Sequence, residues 1–134
     1  MYKRQEKVLL TGDLNLDPYD MPCMMSNGLN AIMCRKTVCR IRKKNDKKLF
    51  YNPSWNLLGD RFHTPGTYYR QSEGSQYWSV LDQVMMRPDM VAHYDVDSLK
   101  VLNKTKNDSL ISTNGIPNKT KYSDHLPIIF KLNI

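Results

Sequence analysis

The stretch Leu9-Leu10-Thr11-Gly12-Asp13-Leu14-Asn15-Leu16-Asp17-Pro18 decides how the rest of the chain is interpreted. The apolar residues before the glycine predict a buried strand over Lys7–Asn15. Because alternate residues of a strand point to the same side, Asp13 and Asn15 would project together from the end of a sheet. A carboxylate can orient or deprotonate a water, and a carboxamide can donate a hydrogen bond to developing negative charge, so the pair suits chemistry on a phosphate. The same residue types are also typical of ordinary turns, and this stretch alone does not decide between the two interpretations.

The bulk composition predicts one globular domain. The chain has 134 residues, 40% of them hydrophobic and 25% charged, which suits a single core. No apolar run reaches the length of a membrane span, and the charged N-terminus has no apolar signal core, so we expect a cytoplasmic protein. The three cysteines lack paired CxxC spacing, which favours reduced thiols over a disulfide framework or a zinc site.

A formal net charge of +7 favours polyanionic partners. Much of the positive charge lies between Arg35 and Lys48. One interpretation is a patch that contacts the phosphate backbone of a nucleic acid. The other is the solvated face and basic C-terminal end of a helix, which is favourable without any ligand.

The hydrophobic pattern predicts one long helix over Cys23–Arg42, with Asp20 as N-cap and Pro22 in the first turn. A polar turn over Lys43–Lys48 and a short helical turn at Ser54–Leu58 follow. Four methionines in the helical region are predicted to fill the core. Strands are predicted at Gly66–Arg70, Tyr77–Met86, Leu99–Leu102, Leu110–Ser112 and Leu126–Leu132. One long helix followed mainly by strands predicts a layered α/β or α+β fold.

Two further polar positions lie at or near the ends of apolar strands. Asp82 sits among apolar residues, and a buried carboxylate needs a partner, for which His125 is the natural candidate. Such a pair would fix the imidazole tautomer. Asp124, next along the chain, can face a hard divalent ion such as Mg2+. Each position alone also fits a capping or salt-bridging carboxylate, but with Asp13 all three together favour a common site.

Three motifs together resemble the endonuclease/exonuclease/phosphatase family, the deoxyribonuclease-I-like superfamily of Mg2+-dependent phosphoesterases. They are Thr11-Gly12-Asp13-Leu14-Asn15, Trp78-Ser79-Val80-Leu81-Asp82-Gln83-Val84 and Ser123-Asp124-His125-Leu126-Pro127-Ile128. The stretches around Tyr51–Trp55 and Pro65–Tyr69 also resemble bacterial members. The resemblance spans Val8 to Leu132 and implies a metal-dependent hydrolase that acts as a phosphodiesterase, nuclease or phosphomonoesterase.

The resemblance implies a role for each matching residue. Asp13 resembles the carboxylate that orients or deprotonates the attacking water, and Asn15 the amide that contacts the scissile phosphate. Asp82 resembles the acid that orients the catalytic histidine, and His125 that histidine. Asp124 resembles a metal-associated acid. The implied reaction is in-line attack of water on phosphorus, assisted by Mg2+ or Mn2+.

The resemblance also implies that residues 1–134 are the C-terminal half of the family domain. The fold expected is half of a four-layer α/β/β/α sandwich, a mainly antiparallel sheet with helices on one face. The family's metal-binding Glu belongs to the other half, and neither Gln5-Glu6 nor Glu73 has its context. We therefore expect limited activity from this fragment alone. An open apolar sheet face would favour pairing with an N-terminal half or a second copy.

Two functions from different classes remain open. The first is a Mg2+-dependent phosphoesterase whose substrate is a phosphate ester, with nucleic acid among the candidates. The second is a non-catalytic module that keeps half of the fold and binds nucleic acid or a protein partner. Four aromatic residues have the chemistry to stack on bases, although core packing is the simpler interpretation: Tyr68, Tyr69, Tyr77 and Trp78.

Overall fold

A computed structural model describes residues 7–42, 48–72 and 76–134 of the chain. Within these ranges, mostly short strands combine with a few short helices, so the α+β class is confirmed at this level. The strands are β1 (Leu9–Asp13), β2 (Ala31–Ile32), β3 (Phe50–Tyr51), β4 (Tyr68–Tyr69), β5 (Trp78–Ser79), β6 (Asp82–Met86), β7 (Lys100–Val101) and β8 (Ile128–Ile129). The helices are α1 (Met21–Met24) and α2 (Arg35–Arg42), with 3₁₀ turns at Pro53–Leu57 and Pro88–His93.

The central sheet has four strands in the order β1-β6-β3-β2, and β4-β5 and β7-β8 form two small sheets. β1 and β6 run antiparallel, with a register from Leu9 opposite Met86 to Asp13 opposite Asp82. The last residue of β1 therefore lies beside the first residue of β6. This register places two carboxylates at the same end of the sheet.

Strand β6 is covered on both faces by other parts of the chain. Val84 and Met86 are fully buried in a cluster with Val38 of α2, whereas Met85 is fully buried with Cys23 of α1 in a second cluster. Alternate strand residues point to opposite faces, so a helix packs on each side of the sheet. The prediction that helices occupy one face is therefore wrong. The apolar face expected to be open to water is not found on β6.

The single helix predicted over Cys23–Arg42 is also wrong. The chain forms one turn of helix, reverses, passes through β2 and then begins α2. At the reversal, the N–H of Leu29 donates to the carbonyl of Pro22 at 2.9 Å. A Cβ on Gly28 would lie 2.3 Å from that same carbonyl oxygen, so the tight reversal requires glycine. The free energy gained by packing this reversal exceeds the helix propensity of the segment, which Asn27-Gly28 already lowers.

Helix α1 begins where predicted but contributes little to the core. Asp20 occupies the N-cap position and Pro22 the first turn, yet Oδ2 of Asp20 accepts the N–H of Asp17 at 2.7 Å and makes no capping bond. Only Cys23 of this helix is buried. The four methionines predicted to fill the core are exposed: Met21, Met24, Met25 and Met33.

The later predicted elements are mostly present but shorter. The strand predicted over Tyr77–Met86 is split into β5 and β6 by the buried residues Val80 and Leu81. The 3₁₀ turn at Pro53–Leu57 confirms the helical turn predicted there, and β4, β7 and β8 lie within three predicted strands. Leu110–Ser112 is not a strand and makes one isolated bridge, from Ile111 to Pro117. The predicted turn at Lys43–Lys48 lies, apart from Lys48, outside the described residues.

Candidate active site

Two carboxylates meet where β1 ends and β6 begins. Asp13 and Asp82 are direct cross-strand partners. The Asp13 side chain is 51% exposed, and that of Asp82 is 19% exposed. Like charges directly opposite each other in a sheet are unfavourable, so this position calls for proton donors or a cation.

His125 supplies a donor to this pair. Its Nδ1 lies 2.7 Å from Oδ2 of Asp82, and its Nε2 lies 4.0 Å from Oδ2 of Asp13. The predicted contact between Asp82 and His125 is therefore confirmed. With the proton on Nδ1, the Asp82 carboxylate accepts a hydrogen bond and Nε2 faces Asp13. The longer separation on that side exceeds a direct hydrogen bond and suits an oxygen atom placed between the two groups.

Asn15 reaches the site by a different route from the one predicted. Strand β1 ends at Asp13, and Asn15 has a φ of 53°, in the left-handed region that asparagine tolerates. Its backbone N–H donates to Oδ1 of Asp13 at 2.9 Å. The strand therefore does not persist through Asn15, and the two residues are related by a side-chain-to-backbone turn. This turn orients the Asp13 carboxylate.

Asp124 lies next to His125 in the chain and is exposed. The N–H of His125 donates to Oγ of Ser123 at 3.1 Å, which holds this Ser-Asp-His turn. Among the residues that the structure describes, no three His, Cys, Asp or Glu side chains are grouped to hold a metal ion. A single exposed carboxylate suits only the open, water-rich coordination that Mg2+ commonly keeps.

Tyr68 packs against the imidazole of His125. The two residues form an antiparallel β-bridge, and their ring centroids are 4.9 Å apart. The guanidinium of Arg70 lies 5.5 Å from the Tyr68 ring centroid. The next residue, Tyr69, stacks on Tyr77 with a distance of 6.0 Å between ring centroids. Tyr68 is therefore a packing partner of the histidine. Core packing of all four aromatic residues is not found, because Tyr77 is exposed and the other three are only partly buried.

Thr67 touches the site and was not among the predicted residues. It is fully buried, and its Oγ1 accepts the N–H groups of Leu81 and Asp82 at 3.1 and 3.2 Å. A signal for this contact is Gly66, because a glycine in a strand pattern marks close approach of another backbone. A Cβ on Gly66 would lie 2.5 Å from the carbonyl oxygen of Ser79.

Asp17 is a second supporting residue that the prediction did not single out. It is only 7% exposed, and its Oδ1 accepts the N–H of Val80 at 2.7 Å. Burial, and next the charge of Asp17, raise the pKa of Tyr19 to about 12. The Asp17 carboxylate thus ties the end of the first motif to the segment before Asp82.

The other two histidines of the chain each contact a backbone carbonyl. Nδ1 of His63 lies 2.6 Å from the carbonyl of Thr64, and Nδ1 of His93 lies 3.0 Å from that of Asn133. The Gln5-Glu6 pair and Glu73 lie outside the described residues.

Comparisons with protein-family models, with curated proteins and with solved structures give no match. No helix in the described ranges has both the length and the apolar character needed to cross a bilayer.

Proposed function

We propose that the chain is part of a metal-dependent phosphoesterase that hydrolyses phosphate esters by attack of water. The observation that carries this proposal is the arrangement Asp82–His125–Asp13, with contacts of 2.7 Å and 4.0 Å on the two sides of one imidazole. Its motifs resemble the endonuclease/exonuclease/phosphatase family. In this proposal the chain forms the C-terminal half of a domain of that family.

Each residue has a distinct task in the proposed reaction. The Asp82 carboxylate accepts a hydrogen bond from the Nδ1–H of His125, which orients the ring so that Nε2 faces Asp13. A protonated Nε2 donates to a phosphoryl oxygen and offsets the charge that develops on it. Asp13, oriented by the N–H of Asn15, takes the proton of the attacking water. As the new P–O bond forms, the P–O bond to the ester alcohol breaks, and the departing alkoxide takes a proton from solvent. The side-chain amide of Asn15 would contact the same phosphate.

A divalent ion, Mg2+ or Mn2+, belongs to the proposal through Asp124. An exposed carboxylate beside His125 would bind such an ion together with water molecules and ligands from elsewhere. When bound, the ion would neutralise negative charge on the phosphate. The described residues contain no cluster of three metal ligands. The orientation of His125, the hydrogen bond to the phosphate and the proton transfer from water are therefore assigned to side chains of this chain.

The proposed partner is an N-terminal half of the domain or a second copy of the chain. β1 is an outer strand of the four-stranded sheet, and an outer strand offers unpaired backbone groups to another strand. A partner there would lie next to Asp13. With such a partner absent, we expect turnover to be weak.

The test is release of nitrophenolate from bis(p-nitrophenyl) phosphate, measured with Mg2+, Mn2+ or EDTA alongside sedimentation velocity of the same sample. We expect metal-dependent turnover that falls roughly 100-fold or more in Asp13→Asn and His125→Gln, because each removes a proton-transfer or charge-stabilising group. His93→Gln is the matched control, since the described contact of the His93 ring is to the carbonyl of Asn133, and it should keep full turnover. Equal turnover in all variants would contradict the proposal.

A second candidate function is nucleic-acid binding without catalysis. Three basic residues of α2 are exposed and carry this alternative: Arg35, Lys36 and Arg40. In that case Lys36→Ala and Arg40→Ala would weaken binding and reduce its salt dependence, because each removes a phosphate contact. Asp13→Asn and His125→Gln would leave binding unchanged.

A further inference from the structure

Thr67 hydrogen-bonds to the segments on both sides of the Asp82–His125 contact. We propose that Thr67 is the positioning residue that sets the distance between Asp82 and His125. The expected effect of Thr67 on kcat rests on the proposed function. Its expected effect on the Asp82–His125 hydrogen bond rests on geometry alone.

The Asp82 side is held by the hydroxyl. Oγ1 of Thr67 accepts the N–H groups of Leu81 and Asp82 at 3.1 and 3.2 Å. Leu81 lies between β5 and β6 and Asp82 is the first residue of β6, and a buried side chain supplies the acceptor for both N–H groups. The hydroxyl oxygen has two lone pairs and can serve both donors. Thr67 thereby fixes the backbone from which the Asp82 carboxylate projects.

The His125 side is held by the backbone. The carbonyl of Thr67 accepts the N–H of Leu126 at 2.8 Å, and its own N–H donates to the carbonyl of Ser79 at 2.9 Å. The next residue, Tyr68, bridges to His125 and packs on its ring. One fully buried residue therefore connects directly to Asp82 and to the residue after His125. A shift of its hydroxyl would change one end of the contact without the other.

The experiment compares Thr67→Val, which removes the acceptor while keeping the shape, with Thr67→Ser, which keeps the acceptor. The readout is the downfield proton resonance of the His125 Nδ1–H, which reports its hydrogen bond to Asp82 and needs no substrate. We expect Thr67→Ser to keep this resonance and Thr67→Val to lose or shift it upfield. The accompanying kcat should fall roughly 10- to 100-fold in Thr67→Val with little change in KM, as for other groups that orient a catalytic residue.

Ser54→Ala is the matched control. Ser54 is also fully buried, and its Oγ accepts the N–H of Val84 at 2.9 Å, on the same strand but away from His125. Loss of this hydroxyl should lower stability and leave the Nδ1–H resonance in place. If Thr67→Val does not fold, Thr67→Ala replaces it, because it also lacks the hydroxyl acceptor.

Two results would overturn the positioning role: an unchanged resonance in the folded Thr67 variant that lacks the hydroxyl, or an equal loss in Ser54→Ala. Loss of the resonance in Thr67→Val, with its retention in Thr67→Ser and Ser54→Ala, would support it. That pattern without any hydrolysis in the wild type would refute the proposed function and leave the positioning role standing.

Discussion

At the scale of single residues, Asp13 and Asp82 form a pair that a sheet would normally avoid. Two carboxylates directly opposite each other cost free energy, which the His125 ring and the Asn15 N–H offset in part. Proteins most often break local rules of this kind at functional sites. The pair therefore supports the candidate site independently of the motif resemblance.

The sequence predicted part of this site for a physical reason. A carboxylate among apolar residues requires a partner, which led from Asp82 to His125. It did not predict that Asn15 adopts a left-handed conformation, because a turn and a continued strand accept the same residues there. Thr67 carries no charge and acts through a hydroxyl within a strand-like stretch, so its role depended on tertiary contacts.

Cys34 offers a prediction at the same scale. Hydrogen bonds from the side chain and backbone of Thr37 lower the pKa of the exposed Cys34 thiol, whereas burial raises the pKa of Cys23. A lower pKa means more thiolate below the ordinary thiol pKa, so iodoacetamide near neutral pH should modify Cys34 well before Cys23. Peptide mass spectrometry over time measures both rates.

Thr37→Val tests the cause of this reactivity. The substitution removes the hydroxyl donor and should slow alkylation of Cys34 several-fold, with less effect as the pH rises above the thiol pKa. Cys39 is exposed and lies on α2, as Thr37 does, and its alkylation rate is the internal control. An equal rate at Cys34 before and after the substitution would show that Thr37 does not stabilise the thiolate.

At the scale of elements, the reversal after α1 explains why a helical pattern produced no long helix. Apolar residues such as Leu29 and Ile32 have helical spacing, yet they pack in different clusters on the two sides of the sheet. Spacing alone cannot separate a helix from a turn followed by a short strand. Strands of two residues, such as β2 and β3, form only through pairing with neighbouring strands. The local sequence pattern therefore does not predict them.

Gly28→Ala tests this account of the reversal. The added Cβ would lie 2.3 Å from the Pro22 carbonyl oxygen, so the backbone must shift. We expect the free energy of unfolding to fall by about 1–3 kcal/mol, the usual range for overpacking. Urea denaturation measures it. Asn27→Ala, at the exposed neighbouring position, should change stability by less than about 0.5 kcal/mol, and equal stability of the two variants would refute the explanation.

At the scale of the whole molecule, the candidate site joins parts of the chain that are far apart in sequence. Asp82 and His125 are separated by 43 positions, and Asp13 belongs to the first strand. The β1–β6 register and the packing around Thr67 bring them together. The sequence predicted that the three motifs contribute to one site. It did not predict that both faces of β6 are covered, because that depends on α1 and α2 packing on opposite faces of the sheet.

The central claim is that Asp82 and His125 act as one unit in hydrolysis of a phosphate ester. The most direct measurement is a double-mutant cycle on kcat for bis(p-nitrophenyl) phosphate with Asp82→Asn, His125→Gln and the double variant. We predict that each single substitution lowers kcat by roughly 10²- to 10⁴-fold and that the double variant is hardly slower, as for groups that act together. Losses that multiply in the double variant, or no loss in either single variant, would contradict the claim.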